Sequence, residues 1–133
     1  MKNSLLYISE RWEVMKDEFY EIDPFDDSID DQTKFNDLFC HEDLLWLKKF
    51  NYNIDLGWYG EEEKGYFELY LYKGTDWHYC QLLEKRRTSN YKSILACINQ
   101  LIINVDSGCY DPIITRWASI DDYNEIEIIS LLK

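Results

Sequence analysis

The feature that most constrains the fold of this chain is an alternation of apolar and polar residues that begins at residue 52. Residues 52–58 and 66–73 alternate strictly, and a third run over 77–85 follows the tight turn Gly74-Thr75-Asp76. Alternation with a period of two is typical of half-buried strands, and short connections join neighbouring antiparallel strands. The sequence therefore predicts a three-stranded antiparallel meander.

The clearest helical pattern comes directly after these strands, over residues 89–106. Its apolar residues recur every three or four positions, with Ser89 or Asn90 as the N-cap, and Ser107-Gly108 ends it. This spacing places one apolar stripe along four helical turns, and we expect the stripe to lie across the core face of the meander. The stripe consists of Tyr91, Ile94, Leu95, Ile98, Leu101, Ile102 and Val105.

Helical spacing also predicts two N-terminal helices, over residues 4–20 with Ser4 as its cap and over residues 33–50. The C-terminal pattern is ambiguous, because Ser119 has the spacing of a capping box while the segment from 125 to 130 alternates like a strand. The chain of 133 residues has the length of one domain, 1–133. The predicted fold class is α+β, a three-stranded antiparallel meander packed by a long helix, with two N-terminal helices and a C-terminal helix.

The acidic residues are concentrated in one part of the chain. Residues 13–63 hold sixteen acidic and four basic side chains, which accounts for the whole net charge of −12. A localised negative field steers a positively charged partner and disfavours direct binding to nucleic acid. A solvated acidic surface without a partner is the alternative.

Aromatic residues next to the acids suggest where a partner would bind. Acidic side chains in loops supply steering, and nearby aromatic side chains supply buried contacts. For Trp58 and Tyr59 the alternative role is core packing, and another candidate surface is the sheet face that carries Tyr66, Tyr70 and Tyr72. The predicted partner-binding residues are Asp23, Phe25, Asp26, Asp27, Asp30, Asp31, Trp58, Tyr59, Glu61, Glu62 and Glu63.

Motifs for catalysis, cofactors and metals are absent from the sequence. It has no P-loop, GxGxxG, GxSxG or zinc spacing, so we predict no enzyme activity, no cofactor and no metal. The four cysteines have no CxxC pair and are expected to be buried, and the basic run Lys85-Arg86-Arg87 is expected to be a solvated turn or to form an internal ion pair with the acidic stretch. Without an apolar signal peptide or a membrane-spanning run, the protein is expected to be cytoplasmic and not to bind membranes.

The tract from Asp55-Leu-Gly-Trp-Tyr-Gly to Phe67-Glu-Leu-Tyr-Leu-Tyr-Lys-Gly-Thr-Asp-Trp resembles strand-turn-strand segments of bacterial immunity proteins. These proteins belong to polymorphic toxin and contact-dependent growth inhibition systems. The resemblance implies a cytoplasmic inhibitor of one cognate toxin domain, often a basic nuclease.

Two other function classes remain open. One is a phage-type inhibitor or nucleic-acid mimic that blocks a host enzyme. The other is a small hydrolase or transferase with an unrecognised site, which would need a concave pocket holding a carboxylate with a raised pKa.

Overall fold

One antiparallel sheet and one long helix form the part of the chain that the structure describes. The computed structural model describes residues 2–26, 28–30, 33, 43–60, 64–113 and 116–123. Five strands lie in the order β1-β2-β3-β4-β5, and every neighbouring pair is antiparallel. The elements are β1 (Glu13–Asp17), β2 (Leu45–Lys49), β3 (Tyr52–Tyr59), β4 (Tyr66–Asp76), β5 (Tyr79–Thr88) and α1 (Tyr91–Asp106). The fold class α+β with a three-stranded meander and several helices is therefore wrong in its strand and helix content.

The N-terminal helix predicted over residues 4–20 is absent, and the chain is extended there. Ser4, the expected cap, is buried, and its hydroxyl lies 2.7 Å from the Tyr91 hydroxyl on α1. The Tyr7 amide donates to Asn99 Oδ1 on the same helix at 2.9 Å. Contacts with α1 and the pairing of β1 with β2 stabilise the extended form of this segment. The helical spacing of its apolar residues carries no information about partners so far away in the chain.

The second predicted helix, over residues 33–50, is wrong at its C-terminal end, where the chain forms β2. Leu45 and Leu47 are fully buried on one face of the sheet, whereas Trp46 lies on the other. The local alternation Leu-Trp-Leu therefore prevails over the longer helical spacing. Residues 34–42 lie outside the described residues.

The C-terminal helix predicted from Ser119 is replaced, where the structure is described, by a short 3₁₀ turn over Ile120–Asp122. The Ser119 side chain makes no capping hydrogen bond. Residues 124–133, which carry the rest of that prediction, lie outside the described residues.

The strands predicted over 52–58 and 66–73 lie within β3 and β4, and α1 confirms the predicted helix over 89–106. Asn90 is its N-cap, since its side chain accepts a hydrogen bond from the Ser93 amide at 2.9 Å. The last strand starts two residues later than expected because Asp76 Oδ1 accepts hydrogen bonds from two turn amides, those of His78 at 2.7 Å and Tyr79 at 3.0 Å.

The two faces of the sheet differ in what covers them. We call the side that packs against α1 the helix face, and its strand residues join α1 in one apolar core. The opposite side is the open face, which is partly covered near β5 by residues 116–123 through the bridge between Cys80 and Ala118. Strand pairing places on the open face Trp46, Asn53, Asp55, Tyr59, Tyr66, Glu68, Tyr70, Tyr72, Lys85 and Arg87.

Candidate functional site

The aspartates of the predicted acidic loop shape their own turns. Asp23 Oδ1 accepts the Phe25 amide at 2.9 Å, and Asp26 Oδ1 accepts the Ser28 amide at 2.9 Å. Asp30 Oδ1 accepts the Thr33 amide at 2.8 Å. These side-chain-to-backbone bonds are typical of turn-forming aspartates, so at least part of their role is structural. Of the remaining predicted acids, Asp27, Asp31, Glu61, Glu62 and Glu63 lie outside the described residues.

The three predicted aromatic anchors lie in different environments. Phe25 is exposed. Trp58 is buried on the helix face, where its ring centroid lies 4.9 Å from that of Phe67 and its indole fills the space that a side chain at Gly65 would need. Tyr59 is half-buried and lines a cavity on the open face. The structure therefore brings one of these anchors, Tyr59, to a concave site and places Trp58 in the core.

This cavity, which we call the Asp55 cavity, has a volume of about 560 Å³. It lies between the open face, the turn after β4 and the 3₁₀ turn, and its size is in the range of binding pockets. Five aromatic side chains and four carboxylates line it. The lining residues are Asp43, Trp46, Asp55, Tyr59, Tyr70, Tyr72, Thr75, Asp76, Trp77 and Asp121.

Asp55 lies at the centre of this arrangement. It is half-buried on β3 and pairs directly with Trp46 of β2 on one side and Tyr70 of β4 on the other. Within the described residues, no side chain or amide forms an ion pair or hydrogen bond with its carboxylate. Burial, reinforced by the charge of Asp43 and opposed by that of Lys16, raises the pKa of Asp55 to about 7.

The aromatic side chains around Asp55 form a wall with edge-to-face geometry. The Trp77 ring lies 5.1 Å from Tyr70 and 5.6 Å from Tyr72, nearly perpendicular to both. Burial raises the pKa of both tyrosine phenols, so both remain neutral at physiological pH. Trp46 is held by a hydrogen bond from its Nε1 to Asn53 Oδ1 at 3.0 Å. Tyr72 is buried in a small apolar cluster with Cys80, Leu82 and Ile120, and Tyr70 and Trp77 pack against this cluster, so the protein fixes the orientation of the rings.

The basic run Lys85-Arg86-Arg87 forms ion pairs within the fold. Arg86 lies 3.0 Å from Glu84, while Lys85 and Arg87 lie 3.3 Å and 3.0 Å from Glu68. The predicted ion pairing with the acidic segment 13–63 is wrong in its partner, because both glutamates belong to strands β4 and β5, and the run itself lies in β5 and not in a turn.

Several other predicted features can be located in the structure. The expectation that the cysteines are buried is confirmed for Cys80, holds in part for the half-buried Cys97 and is wrong for the exposed Cys109, while Cys40 lies outside the described residues. Within the described residues, no three His, Cys, Asp or Glu side chains are grouped to hold a metal ion. No helix in the described part of the chain has the length and apolar character needed to cross a membrane.

Most residues of the Asp55 cavity were missed as site residues in the sequence. The helical spacing over residues 33–50 places Trp46 in a helix, and the alternation over residues 52–58 makes Asp55 an ordinary polar position. The signal that could have found them is the aromatic character of the second sheet face, on which Tyr70 and Tyr72 were already noted. An aspartate among several aromatic side chains on one face of a sheet indicates a candidate binding surface and not a face that only contacts solvent.

Comparisons with known proteins give no family. The chain matches no protein-family model, no curated protein and no solved structure. Function is therefore inferred from the geometry and charge of the Asp55 cavity.

The raised pKa of Asp55 predicts how stability changes with pH. The folded protein keeps the proton on the Asp55 carboxyl group up to about pH 7, whereas the unfolded chain loses it near pH 4. The protonated group therefore contributes fully to the stability of the fold below pH 4, and this contribution is lost as the pH rises through 7. Asp55→Asn should therefore gain about 1–3 kcal/mol of unfolding free energy relative to the wild type between pH 5 and pH 8. Urea unfolding at a series of pH values measures this difference, and parallel profiles for the two proteins would contradict it.

Proposed function

We propose that this protein binds and neutralises a basic protein, as an immunity protein does with its cognate toxin. It acts by binding, in the cytoplasm, without a cofactor. The single observation that carries the proposal is the Asp55 cavity, where four carboxylates and five aromatic side chains share one concave surface. Carboxylates select a cationic partner, and rigid aromatic side chains provide the buried contacts that slow dissociation.

Two further observations support a protein partner in particular. The net charge of −12 extends beyond the cavity into the loop of Asp23, Asp26 and Asp30, so the attracting field is broader than a small ligand needs. Phe25, in that same loop, is exposed at 47% and could add apolar contact area at the rim of an interface.

The proposal is tested by capturing partners from the native host with the tagged wild-type protein and, in parallel, with Asp43→Asn/Asp55→Asn. We expect one basic protein to be retained by the wild type and lost with the variant. Co-expression of the wild type should then restore growth to cells that produce this basic protein. Equal recovery by both proteins, or growth inhibition that persists on co-expression, would contradict the proposal. Restored activity of a host nuclease or repair enzyme on deleting the chain would instead support the phage-type inhibitor or nucleic-acid mimic.

Association of the purified pair is expected to depend strongly on salt. The association rate constant should fall about tenfold or more between roughly 0.05 M and 0.5 M ionic strength, while the dissociation rate changes less, because screening weakens steering at a distance. Stopped-flow or surface plasmon resonance measures both rates. An association rate that is independent of salt would show that the acidic surface does not guide the encounter.

A second candidate function is favoured by one specific observation, the carboxylate with a raised pKa inside a concave pocket. A half-protonated Asp55 near a second carboxylate, Asp43, is what a hydrolase using general acid catalysis requires. Assays with activated glycoside and ester substrates test this candidate. Turnover that disappears in Asp55→Asn would replace the binding proposal with an enzymatic one.

A further inference from the structure

The open face already contains one complete cation site, built from the protein's own side chains. Arg87 stacks over the Tyr66 ring at 4.3 Å from the centroid, and its guanidinium lies 3.0 Å from the Glu68 carboxylate. Glu68 and Arg87 are directly paired across β4 and β5. A carboxylate, a guanidinium and a tyrosine ring thus form one unit, in which the guanidinium contacts both the Glu68 carboxylate and the face of the Tyr66 ring.

The Asp55 cavity also combines a carboxylate with aromatic rings. Asp55 supplies the carboxylate, and its neighbours Trp46 and Tyr70 supply rings on either side. Two cations of the described residues flank these groups: the Lys85 ammonium lies 5.6 Å from the centroid of the Tyr70 ring, and Lys16 is the strand neighbour of Trp46. Each also lies near a glutamate, Lys16 at 3.8 Å from Glu18 and Lys85 at 3.3 Å from Glu68. The cavity therefore presents a carboxylate and aromatic walls that suit a cation from another molecule.

The shape of the cavity favours an organic cation over a metal ion. Its carboxylates come from different elements of the chain and, among the described residues, do not form a group that could hold a metal. A guanidinium is planar, stacks on aromatic rings and can donate two hydrogen bonds to one carboxylate, whereas an ammonium is a compact and strongly hydrated charge. The half-buried rings of Trp46, Tyr70 and Trp77 match the planar group better.

We propose that the Asp55 cavity receives one arginine side chain of the partner protein, with Asp55 accepting hydrogen bonds from its guanidinium and the surrounding rings stacking on it. This inference rests on the proposed function for the identity of the partner as a basic protein. The remaining carboxylates, those of Asp43, Asp76 and Asp121, lie around the arginine and favour its charge at longer range.

Binding in this cavity is coupled to a proton. The charged groups that act on Asp55 are the carboxylate of Asp43 and the ammonium of Lys16. The phenol of Tyr72, which interacts with the Asp55 charge, stays neutral, and the strand neighbours Trp46 and Tyr70 carry no charge. An arriving guanidinium favours the ionised carboxylate, so a proton leaves when the arginine binds. Affinity should therefore rise about tenfold from pH 6 to pH 8, the range over which Asp55 ionises.

The test uses a probe that carries only the chemistry in question. Nα-acetyl-arginine amide is titrated into the full chain, and the signals of the Trp46 and Trp77 indole N–H groups and the Asp55 amide are followed by NMR. We expect these signals to shift together with a Kd on the order of 1–10 mM. The neutral isostere Nα-acetyl-citrulline amide should bind at least about tenfold more weakly, and Nα-acetyl-lysine amide should also bind more weakly than the arginine compound.

Protein variants localise the effect. Asp55→Asn should weaken arginine binding about tenfold or more and abolish its pH dependence, whereas Asp122→Asn, an exposed neighbour of the cavity residue Asp121, should change the Kd by less than about twofold. Equal binding of arginine and citrulline, equal or tighter binding of lysine, or shifts confined to other surfaces would overturn the arginine site.

The two proposals fail in different ways. A chain that neutralises a basic protein but does not distinguish arginine from citrulline retains the proposed function and loses the arginine site. A chain that binds arginine in the Asp55 cavity but associates with no basic protein retains the site and loses the proposed function.

Discussion

The paired substitution Asp43→Asn/Asp55→Asn is expected to weaken binding of the purified basic partner by about 2–5 kcal/mol, which is at least about thirtyfold in Kd. The effect should appear mainly as faster dissociation, because it removes charges that are desolvated in the complex and leaves the cation of the partner without a close counterpart. Surface plasmon resonance at constant ionic strength and pH 8 measures both rate constants.

The matched control is Asp23→Asn/Asp26→Asn, which removes the same number of charges from the acidic loop. Asparagine can still accept the turn hydrogen bonds that Asp23 and Asp26 accept from the Phe25 and Ser28 amides. We expect this variant to slow association severalfold and to leave dissociation nearly unchanged, as rim charges do. The reverse pattern, with fast dissociation in the loop variant alone, would place the close contacts in the loop.

The second large effect concerns stability and lies on the helix face. Glu84 is fully buried there, with Arg86 at 3.0 Å and the Tyr110 hydroxyl donating to it at 3.2 Å. Arg86→Met keeps most of the apolar stem but removes the guanidinium that pairs with this buried carboxylate. This change should destabilise the protein by about 3–5 kcal/mol in urea unfolding at pH 7.

Lys85→Met is the control for the loss of a neighbouring cation. Lys85 pairs with Glu68, but Glu68 also binds Arg87 at 3.0 Å, so the carboxylate keeps a partner after the substitution. Its cost should stay below about 1 kcal/mol. Similar losses for the two variants would mean that the Glu84–Arg86 pair has no special role in the core.

The parts of the fold that could be predicted are those in which local pattern and tertiary contacts agree. The helix α1 combines an Asn90 cap with a stripe of residues that are buried against the sheet, so its periodicity and its packing coincide. In the same way, the alternation around Ile54 and Leu56 matches their full burial in β3. For these elements, the sequence contains the information that decides the structure.

The parts that could not be predicted depend on partners far away in the chain. Met15, expected on the apolar stripe of an N-terminal helix, is 46% exposed beside the register shift in β1, whereas Ser4, expected at the cap, is buried against Tyr91. The spacing that suggested a helix was produced by residues with unrelated environments. Only the pairing with β2 and the contacts of α1 distinguish the extended form from the helix.

The candidate site was predictable in its chemistry but not in its assembly. Acidic and aromatic residues were expected to act together, and Tyr59 does line the cavity. However, the cavity joins Trp46, Asp55, Trp77 and Asp121 from separate elements, and their proximity depends on strand register and on the 3₁₀ turn. Sequence neighbours such as Trp58 point instead to the opposite face of the sheet.

The most direct test of the central claim is a crystal structure of the complex with the basic partner. We predict that an arginine side chain of the partner enters the Asp55 cavity, with a guanidinium nitrogen within about 4 Å of the Asp55 carboxylate and the plane of the group stacked on one of the surrounding rings. A complex in which the cavity contains no atom of the partner, and in which the interface lies on another surface, would contradict it.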